Sequence, residues 1–126
     1  MRYSAPGFVY SVGLSLPNTA AALAAVQQLA AEPERVQSLR HLSSSFKERA
    51  EAKGFDCGLS EGYAILPIII GDSIKATQAS NELMGAGFNV LPIIAPAVSE
   101  RAARLRFFIS TEHNVDTFDR VLAAMQ

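Results

Sequence analysis

Three things are scarce in this sequence, and each scarcity closes off a class of function. There is one cysteine, Cys57, in 126 residues, which excludes an intrachain disulfide framework and a multi-cysteine zinc site. There is almost no net charge: eleven Lys and Arg against twelve Asp and Glu leave −1. That balance provides no electrostatic footprint for nucleic acid or for an anionic membrane surface. Uninterrupted apolar runs are missing too. The uncharged stretch from Tyr3 to Ala31 is broken by Pro6, Gly7, Gly13, Pro17 and Asn18. Its Ala-rich part, Thr19 to Ala31, falls well short of the roughly 20 residues a spanning helix needs. Arg2 alone does not make the basic region of a secretory signal. The expectation is a cytoplasmic chain with neither a membrane nor a nucleic-acid partner.

Short catalytic signatures are absent as well. The sequence has no Gly-x-Ser-x-Gly, no phosphate-binding loop and no dinucleotide fingerprint. What is present is an ordinary globular composition, 49% hydrophobic and 18% charged, at a length that suits one domain. The pattern predicts an arm over residues 1–17 and a single α/β domain over 18–126.

Helix signals come first. Alanine and the spacing of Leu23, Val26 and Leu29 predict a helix over Asn18–Ala31. Glu32-Pro-Glu breaks and restarts the chain. A second helix over Pro33–Lys53 carries the stripe Val36, Leu39, Leu42, Phe46 and Ala50 and stops at Gly54. Tyr63–Ile70 is a β-branched strand, with Pro67 confining it to an edge or a bulge. Asp72 caps a third helix that the glycines of Met84-Gly-Ala-Gly-Phe close. Strands follow over Phe88–Ile94 and Ala103–Ser110, and Asn114 caps a last helix striped by Val115, Phe118, Val121, Leu122 and Met125. The fold class is α/β (α+β): a small, mainly antiparallel sheet of about three strands with helices packed on one face, burying these stripes.

Few residues offer chemistry. His41 and His113 lie far apart with no acidic or cysteine partner at ligand spacing, which suits solvated or capping histidines. No metal site is expected, and Cys57 has no neighbouring histidine to activate it. Arg101, Arg104 and Arg106 cluster, the last two on one strand face by the period of two. Such arginines either decorate a solvated face or fork onto a carboxylate. Ser11 lies in a Tyr-Ser-Val-Gly turn, where a hydroxyl and backbone N–H groups suit an anion.

Several segments taken together resemble one family. They are Phe8-Val-Tyr-Ser-Val-Gly-Leu, Glu32-Pro-Glu-Arg-Val, Ile65-Leu-Pro-Ile-Ile-Ile-Gly-Asp, Gly87-Phe-Asn-Val-Leu-Pro-Ile-Ile-Ala-Pro-Ala-Val and Ala103-Arg-Leu-Arg-Phe followed by Ser110 and His113. In order and spacing they resemble the C-terminal part of the α-oxoamine synthases, pyridoxal-phosphate (PLP) enzymes of aminotransferase fold type I. The resemblance implies a fragment of an enzyme that condenses an amino acid with an acyl-CoA. It also implies a homodimer and a large PLP-binding domain upstream of this chain. A simple PLP aminotransferase of the same fold, or a stand-alone ligand-binding or dimerisation module, are the alternative readings.

Residue by residue, the resemblance assigns Arg106 to the amino-acid carboxylate and Ser11 to the cofactor phosphate of the neighbouring subunit. It assigns no catalytic residue. The family's Schiff-base lysine lies upstream, and Lys47, Lys53 and Lys75 do not share its context. PLP is therefore expected in the complete enzyme and not covalently on this chain, which by itself is expected to be inactive. The apolar residues Phe8, Val9, Tyr10, Leu14 and Leu16 of the arm are expected to meet a partner.

Overall fold

The computed structural model describes residues 13–126. They form α1 (Leu16–Ala31), α2 (Glu34–Ala52), β1 (Ile65–Ile69), α3 (Ser73–Gly85), β2 (Leu91–Ile93), a 3-10 turn (Glu100–Ala102), β3 (Arg104–Phe108) and α4 (Val115–Ala123). The chain divides into two compact units, residues 1–33 and 34–126.

In the first unit, α1 begins two residues before the sequence-predicted start. Ser15 serves as N-cap, its side chain accepting from the Asn18 N–H at 3.4 Å, and Pro17 sits in the first turn, where its missing N–H costs nothing. The stripe of Leu23, Val26 and Leu29 is exposed. The segment before residue 13, including Phe8, Val9, Tyr10 and Ser11, lies outside the described residues.

The second unit is the expected sheet with helices on one face. Its strand order is β1-β3-β2, antiparallel throughout, with Ile65 opposite Phe108, Pro67 opposite Arg106 and Leu91 opposite Arg106. The order explains the prolines. Both Pro67 and Pro92 stand in edge strands, and the central strand has none. Ile69 donates its N–H outward to the Asp56 carbonyl at 2.8 Å, so Pro67, two residues earlier, also turns its nitrogen away from the ladder. The edge position anticipated for the Pro67 strand is the one observed.

Alternation along the strands sends Leu66, Ile68, Leu105 and Phe107 to the covered face. There they pack with Phe46 and Ala50 of α2, Leu83 of α3, and Phe118, Val121 and Leu122 of α4. Phe46 stands at the centre, its ring 5.0 Å from Phe107 and 5.2 Å from Phe118. The helix punctuation is as expected. Gly54 adopts φ +87° after α2, Asp72 accepts from the Lys75 N–H at 2.8 Å, and Asn114 accepts from the Thr117 N–H at 2.9 Å.

The second strand is much shorter than Phe88–Ile94. Ser80, buried on α3, donates its hydroxyl to the Val90 carbonyl at 2.6 Å. Phe88 returns its N–H to Leu83 at 2.8 Å to close the helix. Backbone groups expected to extend the ladder are thus claimed by α3.

Candidate functional site: the open sheet face

The second face of the sheet has no helix against it within its unit. It carries Ile65, Pro67 and Ile69 from β1, Leu91 and Ile93 from β2, and Arg104, Arg106 and Phe108 from β3. Ile65, Leu91 and Phe108 are each more than half exposed. An arginine therefore stands in the middle of an apolar surface, flanked across the strands by Pro67 and Leu91.

Arg104 and Arg106 share this face, as the period of two requires, yet their surroundings differ. Arg104 is partly buried and donates from Nε to the Ala102 carbonyl at 2.7 Å. Arg106 is exposed, and its guanidinium lies over the Phe108 ring, 5.0 Å from the centroid. Among the described residues no carboxylate pairs with it. A guanidinium on a central strand, stacked on an aromatic ring and without an ion-pair partner among the described residues, has the donor geometry that can accept a carboxylate. Arg101 lies in the 3-10 turn, outside this arrangement.

The remaining candidates separate in space and in character. His41 is exposed on α2. His113 accepts from the Ser110 N–H at its ring Nδ1, 3.2 Å away, and its backbone N–H donates to the Ser110 carbonyl at 3.1 Å. It ties down the turn that leads into α4, whose N-cap is Asn114. Cys57 is buried; that burial, reinforced by Glu51 and Asp56 and opposed by Lys47, pushes its thiol up, away from the reactive thiolate. Lys47 pairs with Glu51 at 3.2 Å, and Lys53 and Lys75 are exposed on or beside helices. No cluster of three metal-ligating side chains occurs among the described residues, and none of their helices is long and apolar enough to cross a membrane. Ser11 lies outside the described residues.

The chain has relatives among known proteins. The chain is 37% identical over 117 residues to 8-amino-7-oxononanoate synthase of Symbiobacterium thermophilum, an alignment covering 93% of this chain and 30% of that protein. It is 32% identical over its full length to 8-amino-7-oxononanoate synthase 1 of Bacillus subtilis, of which it covers 32%. The chain is related to the C-terminal part of the α-oxoamine synthases. It spans about a third of the length of the curated relatives it matches.

No family model matches the chain. The fold agrees with two solved structures. One is 8-amino-7-oxononanoate synthase from Francisella tularensis, with TM-score 0.80, 20% identity, and coverage of 98% of this chain and 36% of that one. The other is a serine palmitoyltransferase variant from S. paucimobilis with a bound PLP–myriocin aldimine, with TM-score 0.82, 21% identity, and coverage of 98% and 31%. The small three-stranded domain expected from the sequence is the α-oxoamine synthase domain in form.

The resemblance singled out Arg106, but the strand pattern by itself did not separate it from Arg104. Periodicity places both on one face, and only the Nε bond to Ala102 and the Phe108 ring tell them apart.

Proposed function

We propose that this chain is the C-terminal domain of a PLP-dependent acyl-CoA:amino-acid C-acyltransferase and presents Arg106 to the carboxylate of the amino-acid substrate. The observation that carries the reading is the guanidinium of Arg106, central on the open sheet face, ringed by Pro67, Leu91 and Phe108 and without a carboxylate partner among the described residues. Burying one charge on an apolar surface is costly unless a counter-ion arrives with the partner. A substrate carboxylate supplies that counter-ion, and the two-pronged geometry orients the amino acid. Arg104 is spent on the Ala102 carbonyl of the preceding turn.

Lys47, Lys53 and Lys75 are on or beside helices, and Lys47 is ion-paired with Glu51. In this reading the cofactor is held by the large domain of the complete homodimeric enzyme. Ser11 is assigned to its phosphate across the dimer, and the isolated chain has no synthase activity.

The test is a chimera in which this chain replaces the matched C-terminal third of the Bacillus subtilis relative. The expected result is CoA release from an amino acid and an acyl-CoA, with an amino-acid KM that rises strongly in Arg106→Ala while cofactor loading and the acyl-CoA KM stay unchanged. A chimera that loads PLP but shows the same amino-acid KM with and without Arg106 overturns the assignment.

A further inference from the structure

The sheet of the second unit does not stay closed along its length. Beyond the pairing of Leu91 with Arg106, β2 and β3 are no longer laddered. The Ser80 hydroxyl holds the Val90 carbonyl to α3, and Gly87 to Val90 run apart from Phe107 to Ile109. Between these segments and α4 lies a cleft of about 480 Å³. That size falls within the range of small-molecule sites.

Aromatic rings form its interior: Phe107 and Phe118, both buried, with the partly buried Phe88 nearer the surface. Four polar side chains join this wall, Asn89, His113, Thr117 and Arg120. The Thr117 hydroxyl is spent on the Asn114 carboxamide oxygen at 2.8 Å; the other three can each donate to a ligand. The guanidinium of Arg120 lies over the Phe88 ring, 5.5 Å from its centroid. Because the His113 Nδ1 accepts from the Ser110 N–H, the proton of the neutral ring sits on Nε2. Asn89 is exposed, and no partner is seen for its amide among the described residues.

No carboxylate lines the cleft. Asp119, next to Arg120 in sequence, is engaged by Arg49 through both of its oxygens at 2.8 Å. Arg120 has no ion pair among the described residues. An apolar cleft rimmed by a cation and further donors, with no acid in its wall, is complementary to an anion with an apolar body. One guanidinium matches a monoanionic planar carboxylate; a phosphate dianion calls for more positive charge.

We propose that this cleft binds a small amphipathic carboxylate, with its apolar body among Phe88, Phe107 and Phe118 and its carboxylate on Arg120. The site is distinct from Arg106 and does not depend on the function assigned above. Octanoate is the probe and 1-octanol its uncharged counterpart, each titrated into the 126-residue chain and followed by the aromatic NMR signals. Octanoate is expected to shift Phe88, Phe107 and Phe118 saturably and to bind about tenfold more tightly than octanol, the usual gain from one charge-assisted bond. Arg120→Gln removes that advantage and leaves octanol binding unchanged. Asn89→Asp sets a carboxylate at the rim and weakens octanoate alone. Both substitutions are at exposed positions, and the unchanged octanol response certifies the fold. Equal affinities for the two probes, insensitivity of octanoate to Arg120→Gln, shifts confined to other residues, or no saturable shift overturns the proposal.

Discussion

The two faces of the same three strands have opposite characters. On the covered face, Leu66, Ile68, Leu105 and Phe107 are buried under three helices, with no polar group among them. On the open face, the residues between them, Ile65, Leu91, Arg106 and Phe108, stay exposed and surround a charge. Alternation of period two puts these roles one residue apart along β3. A change at Phe107 is a change to the core, whereas a change at Arg106 or Phe108 leaves the core alone. Stability and the proposed recognition by Arg106 are thus separable by single substitutions, and four experiments sharpen or break that separation.

The largest effect belongs to the covered face. Phe46 is fully buried and contacts two further rings. Phe46→Ala is expected to cost about 3–5 kcal/mol in unfolding free energy, read by denaturant titration. A loss below about 1 kcal/mol would show that the core lies elsewhere.

Arg106→Ala comes next, and its effect is expected in binding only. In the active chimera it should cost about 2–5 kcal/mol of amino-acid binding, the range for removing one partner of a buried charge pair, while thermal unfolding of the chain shifts little. Arg104→Ala is the control. Equal effects of the two on the amino-acid KM would make the pair a diffuse basic patch and end the contrast drawn between them. Arg106→Lys should recover only part of the loss, because a point charge lacks the fork.

Ser80→Ala removes the buried hydroxyl that holds the Val90 carbonyl. An acceptor left without a partner costs about 1–3 kcal/mol. The accompanying observable is hydrogen exchange over Gly87–Leu91. If the segment exchanges as slowly as before, the bond is not what holds it apart from β3.

The smallest effect is expected at the Arg49–Asp119 pair, which links α2 to α4 at 2.8 Å but leaves both side chains more than a third exposed. Asp119→Asn should cost about 0.5–1 kcal/mol, and less at high salt, as solvent screens such pairs.

Much of this architecture was legible in the residues. Gly54, Asp72 and Asn114 announce helix ends because their backbone and capping chemistry is local. Pro67 announces an edge because a missing N–H is incompatible with a central strand. The failures are equally physical. The length of β2 was overestimated because Val90 answers to Ser80, ten residues away, and propensity carries no trace of that bond. The cleft was invisible because its walls come from α2, the turn at Gly87, β3 and α4, which only the fold assembles. Arg106 was singled out through resemblance to a family, and the structure adds how its surroundings differ from those of Arg104, through the Phe108 ring and the Ala102 carbonyl.

The strand order has a consequence for how the domain comes into being. The last strand to be synthesised, β3, is the middle one, and β1 and β2 share no ladder of their own. Until Arg104–Phe108 has left the ribosome, every pairing in the sheet lacks its partner, and the apolar stripes of α2 and α3 have no completed surface to cover. Nascent chains that stop before this point expose their hydrophobic residues and two unpaired strands together, the combination that invites aggregation. Completion of the sheet in the second unit therefore has to wait for β3, the third of its strands in sequence.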